Sequence, residues 1–100
     1  MSKRKPAAAA RPEKQRLIVF TPHAWEDYLL WKRTDAKTSA RIDALISETL
    51  RTPFVGTGKP EPLKGELAGK WSRRINASDR MVYAFENDTL YLLALKRHYG

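Results

Sequence analysis

The chain has 100 residues, enough for one domain with a modest core and little spare surface. It contains no Cys, which excludes a disulfide framework, a cysteine zinc site and thiol catalysis. Its formal net charge of +8 and isoelectric point near 10.1 favour an anionic partner, whether RNA, DNA, an acidic membrane or an acidic protein.

Residues 1–16 carry six Lys/Arg against one acidic residue, Glu13, while the remaining chain carries 13 Lys/Arg against 10 Asp/Glu. The first segment reads as a basic, low-complexity arm without periodicity, and residues 17–100 as the folded domain. Ser2 to Lys5 resembles the charged start of a secretory signal, but the apolar run Ala7 to Ala10 is too short to complete one. No stretch approaches the roughly 20 apolar residues of a membrane span. A soluble, cytoplasmic protein is expected.

Leu17 to Phe20 is a short apolar run stopped by Thr21-Pro22, which predicts a buried strand. Thr21 is placed to cap a helix whose first residue is Pro22. Trp25, Tyr28, Leu29 and Lys32 then share a helical face. Thr34-Asp35 breaks this helix, and Asp35 is placed to cap a second one carrying Ile42, Leu45, Ile46, Thr49 and Leu50 at helical spacing. Three Pro and two Gly in residues 52–62 predict a long irregular loop, a kind that often carries function.

The remainder reads as strands: a brief pairing over Leu63 to Leu67, then Trp71 to Ile75, Arg80 to Glu86 and Thr89 to Arg97. The last two are nearly continuously apolar and suit the sheet centre. The predicted fold class is α+β, with a two-helix hairpin on one face of a mostly antiparallel sheet.

Glu61 lies between Pro60 and Pro62, which fix φ on both sides and hold its carboxylate on a stiff extended segment. Such placement suits a general base, and it equally describes a surface glutamate in a turn. Arg73 and Arg74 adjoin on a strand and so face opposite sides; both are candidates for RNA phosphate contact. Arg74 and Arg80 flank a short turn and could be cross-strand neighbours. An anion between them, or neutralisation by Asp79 or Glu86, would relieve their repulsion. His98 is either a general acid, with an ordinary pKa of about 6.5, or an exposed residue near the chain end. Tyr99 could stack on a base or cover the sheet edge. His23 and His98 stand far apart, with no tight carboxylate cluster, so no metal-ligand spacing is present. Gly56 and Gly58 do not precede a helix as a phosphate loop requires.

Phe20 to Tyr99 resembles the YoeB (Txe) family of toxins, in the RelE-like superfamily. The matching segments are Trp25-Glu26-Asp27-Tyr28, Arg51-Thr52-Pro53-Phe54, Gly58-Lys59-Pro60-Glu61-Pro62-Leu63-Lys64, Leu67, Trp71-Ser72-Arg73-Arg74-Ile75, Arg80, Val82-Tyr83 and His98-Tyr99. The resemblance implies a microbial-ribonuclease fold and a homodimer. It also implies metal-independent cleavage of mRNA in the ribosomal A site and control by a cognate antitoxin, with no cofactor. It carries a general-base role to Glu61 and transition-state contacts to Arg80, supported by Arg74 and Lys64. A general-acid role falls to His98 and substrate positioning to Tyr99. Two departures from the family pattern are the arm and the added Gly100. Lys37, Arg41 and the arm are further candidates for ribosomal RNA contact. A non-catalytic nucleic-acid-binding module and a corepressor that has lost catalysis are the competing expectations.

Overall fold

The computed structural model describes residues 15–96. Its elements run β1 (Leu17–Phe20), α1 (Pro22–Thr34), α2 (Ala36–Arg51), β2 (Glu61–Pro62), a 3-10 turn (Gly65–Leu67), β3 (Trp71–Arg74), β4 (Arg80–Glu86) and β5 (Thr89–Ala94). Among the described residues the strands form one five-stranded sheet in the order β1-β5-β4-β3-β2. Only β1 runs parallel to its neighbour, β5; every other pair is antiparallel. The helical hairpin packs on one face, as the α+β reading requires.

Local sequence explains the helix boundaries. The Thr21 hydroxyl accepts the Ala24 N–H at 3.1 Å and Pro22 occupies the first turn, where a missing N–H costs nothing. Asp35 serves both helices. Its N–H donates to the Trp31 carbonyl to close α1, and its carboxylate accepts the Thr38 N–H at 3.0 Å to open α2. On α2 the buried face is Ile42, Leu45, Ile46 and Thr49, as the spacing predicts. These meet Ile75, Met81, Tyr83, Leu90 and Leu92 from the sheet. Asn87 and Asp88 both adopt φ near +55°, giving the two-residue turn that matches strand twist between β4 and β5.

Four local expectations need correction. β1 is an exposed edge strand, with Leu17 48% and Val19 40% accessible, because it pairs with β5 alone. The buried residues of α1 are Ala24 and Trp31, with Tyr28 partly buried, whereas Trp25 and Leu29 are exposed. The helix is turned this way because the Trp31 indole donates to the Leu95 carbonyl at 2.7 Å, a bond a buried N–H requires. The strand expected over Leu63 to Leu67 lies earlier, at Glu61–Pro62. After it the chain folds into the 3-10 turn through Gly65 at φ +67°. The last strand also ends at Ala94 rather than Arg97.

Candidate active site

Alternation along the strands sorts the candidate residues onto two faces. On β3, Trp71 and Arg73 point toward the helices, and Ser72 and Arg74 point away. The β3–β4 register pairs Ser72 with Val82, Arg73 with Met81 and Arg74 with Arg80, so Arg80 also lies on the far face. The β2–β3 register pairs Glu61 with Ser72. Glu61, Ser72, Arg74 and Arg80 thus gather on one patch of the sheet, away from the helices.

The expected Arg74–Arg80 cross-strand pair is present. A carboxylate that the sequence reading did not pair with it also stands close: Arg80 Nη1 lies 3.6 Å from Glu61 Oε2. Glu61 keeps 59% of its side chain exposed and Arg80 keeps 26%, so the pair is long and solvated. Exposed pairs of this kind contribute only about 0–1 kcal/mol. An incoming phosphate, which Arg binds with two parallel hydrogen bonds, can therefore displace the carboxylate. Arg74 is exposed beside them, and Lys64 is exposed two residues past Pro62. A proton acceptor and two guanidinium groups on one short stretch of sheet, with an ammonium just past its edge, are the groups that binding a phosphodiester and deprotonating a neighbouring hydroxyl would use.

Arg73 does not belong to this patch, and its expected role in phosphate binding is corrected. It faces the helices and is fully buried. Its guanidinium donates to the carbonyls of Thr52, Val55 (2.8 Å) and Thr57 (3.1 Å), to Glu48 Oε2 (3.4 Å) and to the Tyr83 hydroxyl (3.3 Å). These acceptors take up its donors and leave none for RNA. Arg73 instead organises the loop that leads to Glu61.

Other bonds complete the clasp. The Tyr83 hydroxyl donates to the Pro53 carbonyl at 2.6 Å, and the Arg74 N–H donates to the Gly58 carbonyl at 2.7 Å. Gly56 and Gly58 are required here. Both have positive φ, and a Cβ on Gly56 would stand 2.0 Å from Glu48 Oε2. A Cβ on Gly58 would meet the Arg74 carbonyl oxygen at 3.0 Å. The sequence marked these glycines as loop residues, but the partners they pack against were not legible in it.

Glu48 accepts the Thr57 N–H at 2.7 Å, and this bond holds its carboxyl below the usual range, with Arg73 adding to the effect. A carboxylate with a depressed folded pKa stabilises the fold above its unfolded pKa and loses that contribution as pH falls through the folded value. Glu48→Gln should therefore lower Tm at neutral pH. The gap to the wild type should close as pH drops below the ordinary carboxylate range, which thermal melts across a pH series will check.

Other candidates stand apart from the patch. Arg41 donates from Nε to the Ile75 carbonyl and ties α2 to the end of β3. Lys37 is exposed on α2. His98, Tyr99 and Gly100 lie outside the described residues, as does most of the arm. The segment leading to His98 is fixed at Leu95, whose N–H donates to Asp27 Oδ2 at 2.9 Å and whose carbonyl receives the Trp31 indole. Among the described residues no helix is long and apolar enough to cross a membrane.

Residues 20–99 match the family model for the YoeB-like toxin of bacterial type II toxin–antitoxin systems. The chain is 50% identical over 82 residues to toxin YoeB of Streptomyces coelicolor, a match covering 82% of this chain and 98% of that protein. Its fold superposes on the YoeB/ParE toxin of Agrobacterium tumefaciens with a TM-score of 0.79 and 47% identity, covering 83% of this chain and 99% of the other. Staphylococcus aureus YoeB is similar both in its heterotetrameric complex with YefM (TM-score 0.77, 40% identity, 84% and 99% covered) and as a dimer (0.79, 37%, 85% and 99%).

Proposed function

This chain belongs to the YoeB-like toxins of bacterial type II toxin–antitoxin systems, and from that premise we propose that it blocks translation as an endoribonuclease cutting mRNA in the ribosomal A site. The observation that carries this reading is the solvated Glu61–Arg80 pair with Arg74 in register beside it. A base and its countercharge are stored together, ready to be separated by a phosphodiester.

In the proposed reaction the scissile phosphate takes Arg80 and Arg74 as partners, with Lys64 supporting, and Glu61 is released. Its carboxylate removes the proton of the ribose 2′-OH, and the 2′ oxygen attacks the adjacent phosphorus. Charge growing on the phosphoryl oxygens is stabilised by the fixed guanidinium groups. The bond from phosphorus to the 5′ oxygen breaks as His98 supplies a proton to that oxygen, and Tyr99 positions the substrate. The products are a 2′,3′-cyclic phosphate and a 5′-hydroxyl. No step calls for a metal or cofactor.

The partners proposed are the ribosome, mRNA, a second copy of the chain and a cognate antitoxin, in a cytoplasmic setting. S. aureus YoeB, solved with YefM and as a dimer, supports the last two. An acidic antitoxin segment would complement the charge of +8.

The test is translation of a defined mRNA in vitro with mapping of 5′ ends. Cuts within A-site codons are expected only with translating ribosomes and should leave 5′-hydroxyl termini. A single 2′-deoxy substitution at the scissile nucleotide should abolish cutting there. Cutting that survives this substitution rules out attack by the 2′ oxygen, and no cutting by folded protein would favour the non-catalytic binding or corepressor reading.

A further inference from the structure

Ser72 is 2% exposed, and among the described residues its buried hydroxyl oxygen has no hydrogen-bond partner. Buried polar groups are nearly always paired, because an unpaired one leaves its desolvation cost uncompensated. Ser72 sits between Glu61 and Val82 in register.

Its location supplies a reason. β2 and β4 flank β3, so the Glu61–Arg80 ion pair crosses β3 on the side where Ser72 points. Glu61 is in register with Ser72 and Arg80 with Arg74, so the pair runs diagonally over β3 and Ser72 lies at its Glu61 end, on the floor of the patch. A phosphate that draws Arg80 away from Glu61 removes this bridge and lies over Ser72. A small hydroxyl that can donate one bond is suited to that floor.

We propose that Ser72 is a further catalytic residue, whose hydroxyl donates to a phosphoryl oxygen of the scissile phosphate once Arg80 has exchanged Glu61 for that phosphate. The inference rests on the ribonuclease reading above. A hydroxyl that spends no bond within the described fold is free to turn its proton toward the oxygen that gains charge as the 2′ oxygen attacks.

Ser72→Ala separates this role from a structural one, because the two move stability in opposite directions. Removing an unpaired buried hydroxyl should leave Tm unchanged or raise it. Removing a donor to a charged oxygen should slow cleavage on programmed ribosomes by on the order of 10- to 100-fold, with most of the loss in the rate at saturating toxin. Cleavage by Ser72→Ala within about twofold of wild type overturns the proposal while the ribonuclease reading stands. A fall in Tm that parallels the loss of rate also overturns it, since the hydroxyl would then have a structural partner. If wild-type protein does not cut, both readings fail together.

Discussion

Arg73→Ala is expected to destabilise the protein by about 3–5 kcal/mol, the usual cost of removing one member of a buried charged network. For a domain of this size, each kcal/mol shifts Tm by about 4–8 °C, so a fall exceeding about 10 °C should be seen by thermal circular dichroism. The magnitude follows from what the guanidinium holds. Its loss strands the carbonyls of Thr52, Val55 and Thr57 together with Glu48, all facing a cavity where Arg73 had no solvent exposure. Arg73→Lys keeps the charge but offers a single nitrogen to acceptors spread along the loop, so it should rescue only part of the loss. Hydrogen exchange at the Thr57 amide, bonded to Glu48, should accelerate in both variants. A Tm within about 2 °C of wild type for Arg73→Ala would show that the loop holds itself without the clasp.

Glu61→Gln is expected to leave the fold intact and to reduce cleavage by about 10²- to 10⁴-fold, the range for loss of a general base. Stability should barely change, because the exposed Glu61–Arg80 pair is worth only about 0–1 kcal/mol. RNA affinity should hold or rise, since a carboxylate that competes with phosphate for Arg80 has gone. This opposite movement of rate and affinity distinguishes a base from a positioning contact. It is read by measuring cleavage of A-site mRNA and salt-dependent RNA binding on the same preparations. Wild-type cutting by Glu61→Gln would remove Glu61 from the chemistry and leave the arginines as a binding surface.

The two predictions describe one arrangement. Arg73 and Arg74 are neighbours in sequence, and strand alternation sends them to opposite sides of β3. One fastens the loop from within, and the other joins Glu61 and Arg80 outside. The loop reaches Glu61 through Gly58, whose carbonyl is bonded to the Arg74 amide. A change to the buried clasp should therefore reach the carboxylate through the backbone as well as through stability.

Much of the local structure could be read from the chain itself. Thr21-Pro22 and Asp35 fixed the helix starts, because capping depends on residues three or four positions apart. The α2 stripe, the Asn87-Asp88 turn and the α+β order followed from periodicity and turn chemistry. So did the Arg74–Arg80 pairing, which needs only a short turn between two strands. Tertiary structure decided the rest. Strand order made β1 an exposed edge despite its apolar sequence, since a strand with one neighbour is open on its other side. The Trp31–Leu95 bond set the rotation of α1 across 64 residues of chain. Arg73 and Arg74 are the same residue type in adjacent positions, so no local pattern could assign one to the interior. Only the packing of α2 and the loop over one face of β3, with Glu48 and the Thr52, Val55 and Thr57 carbonyls waiting there, made the first a structural clasp and left the second facing the patch with Glu61 and Arg80.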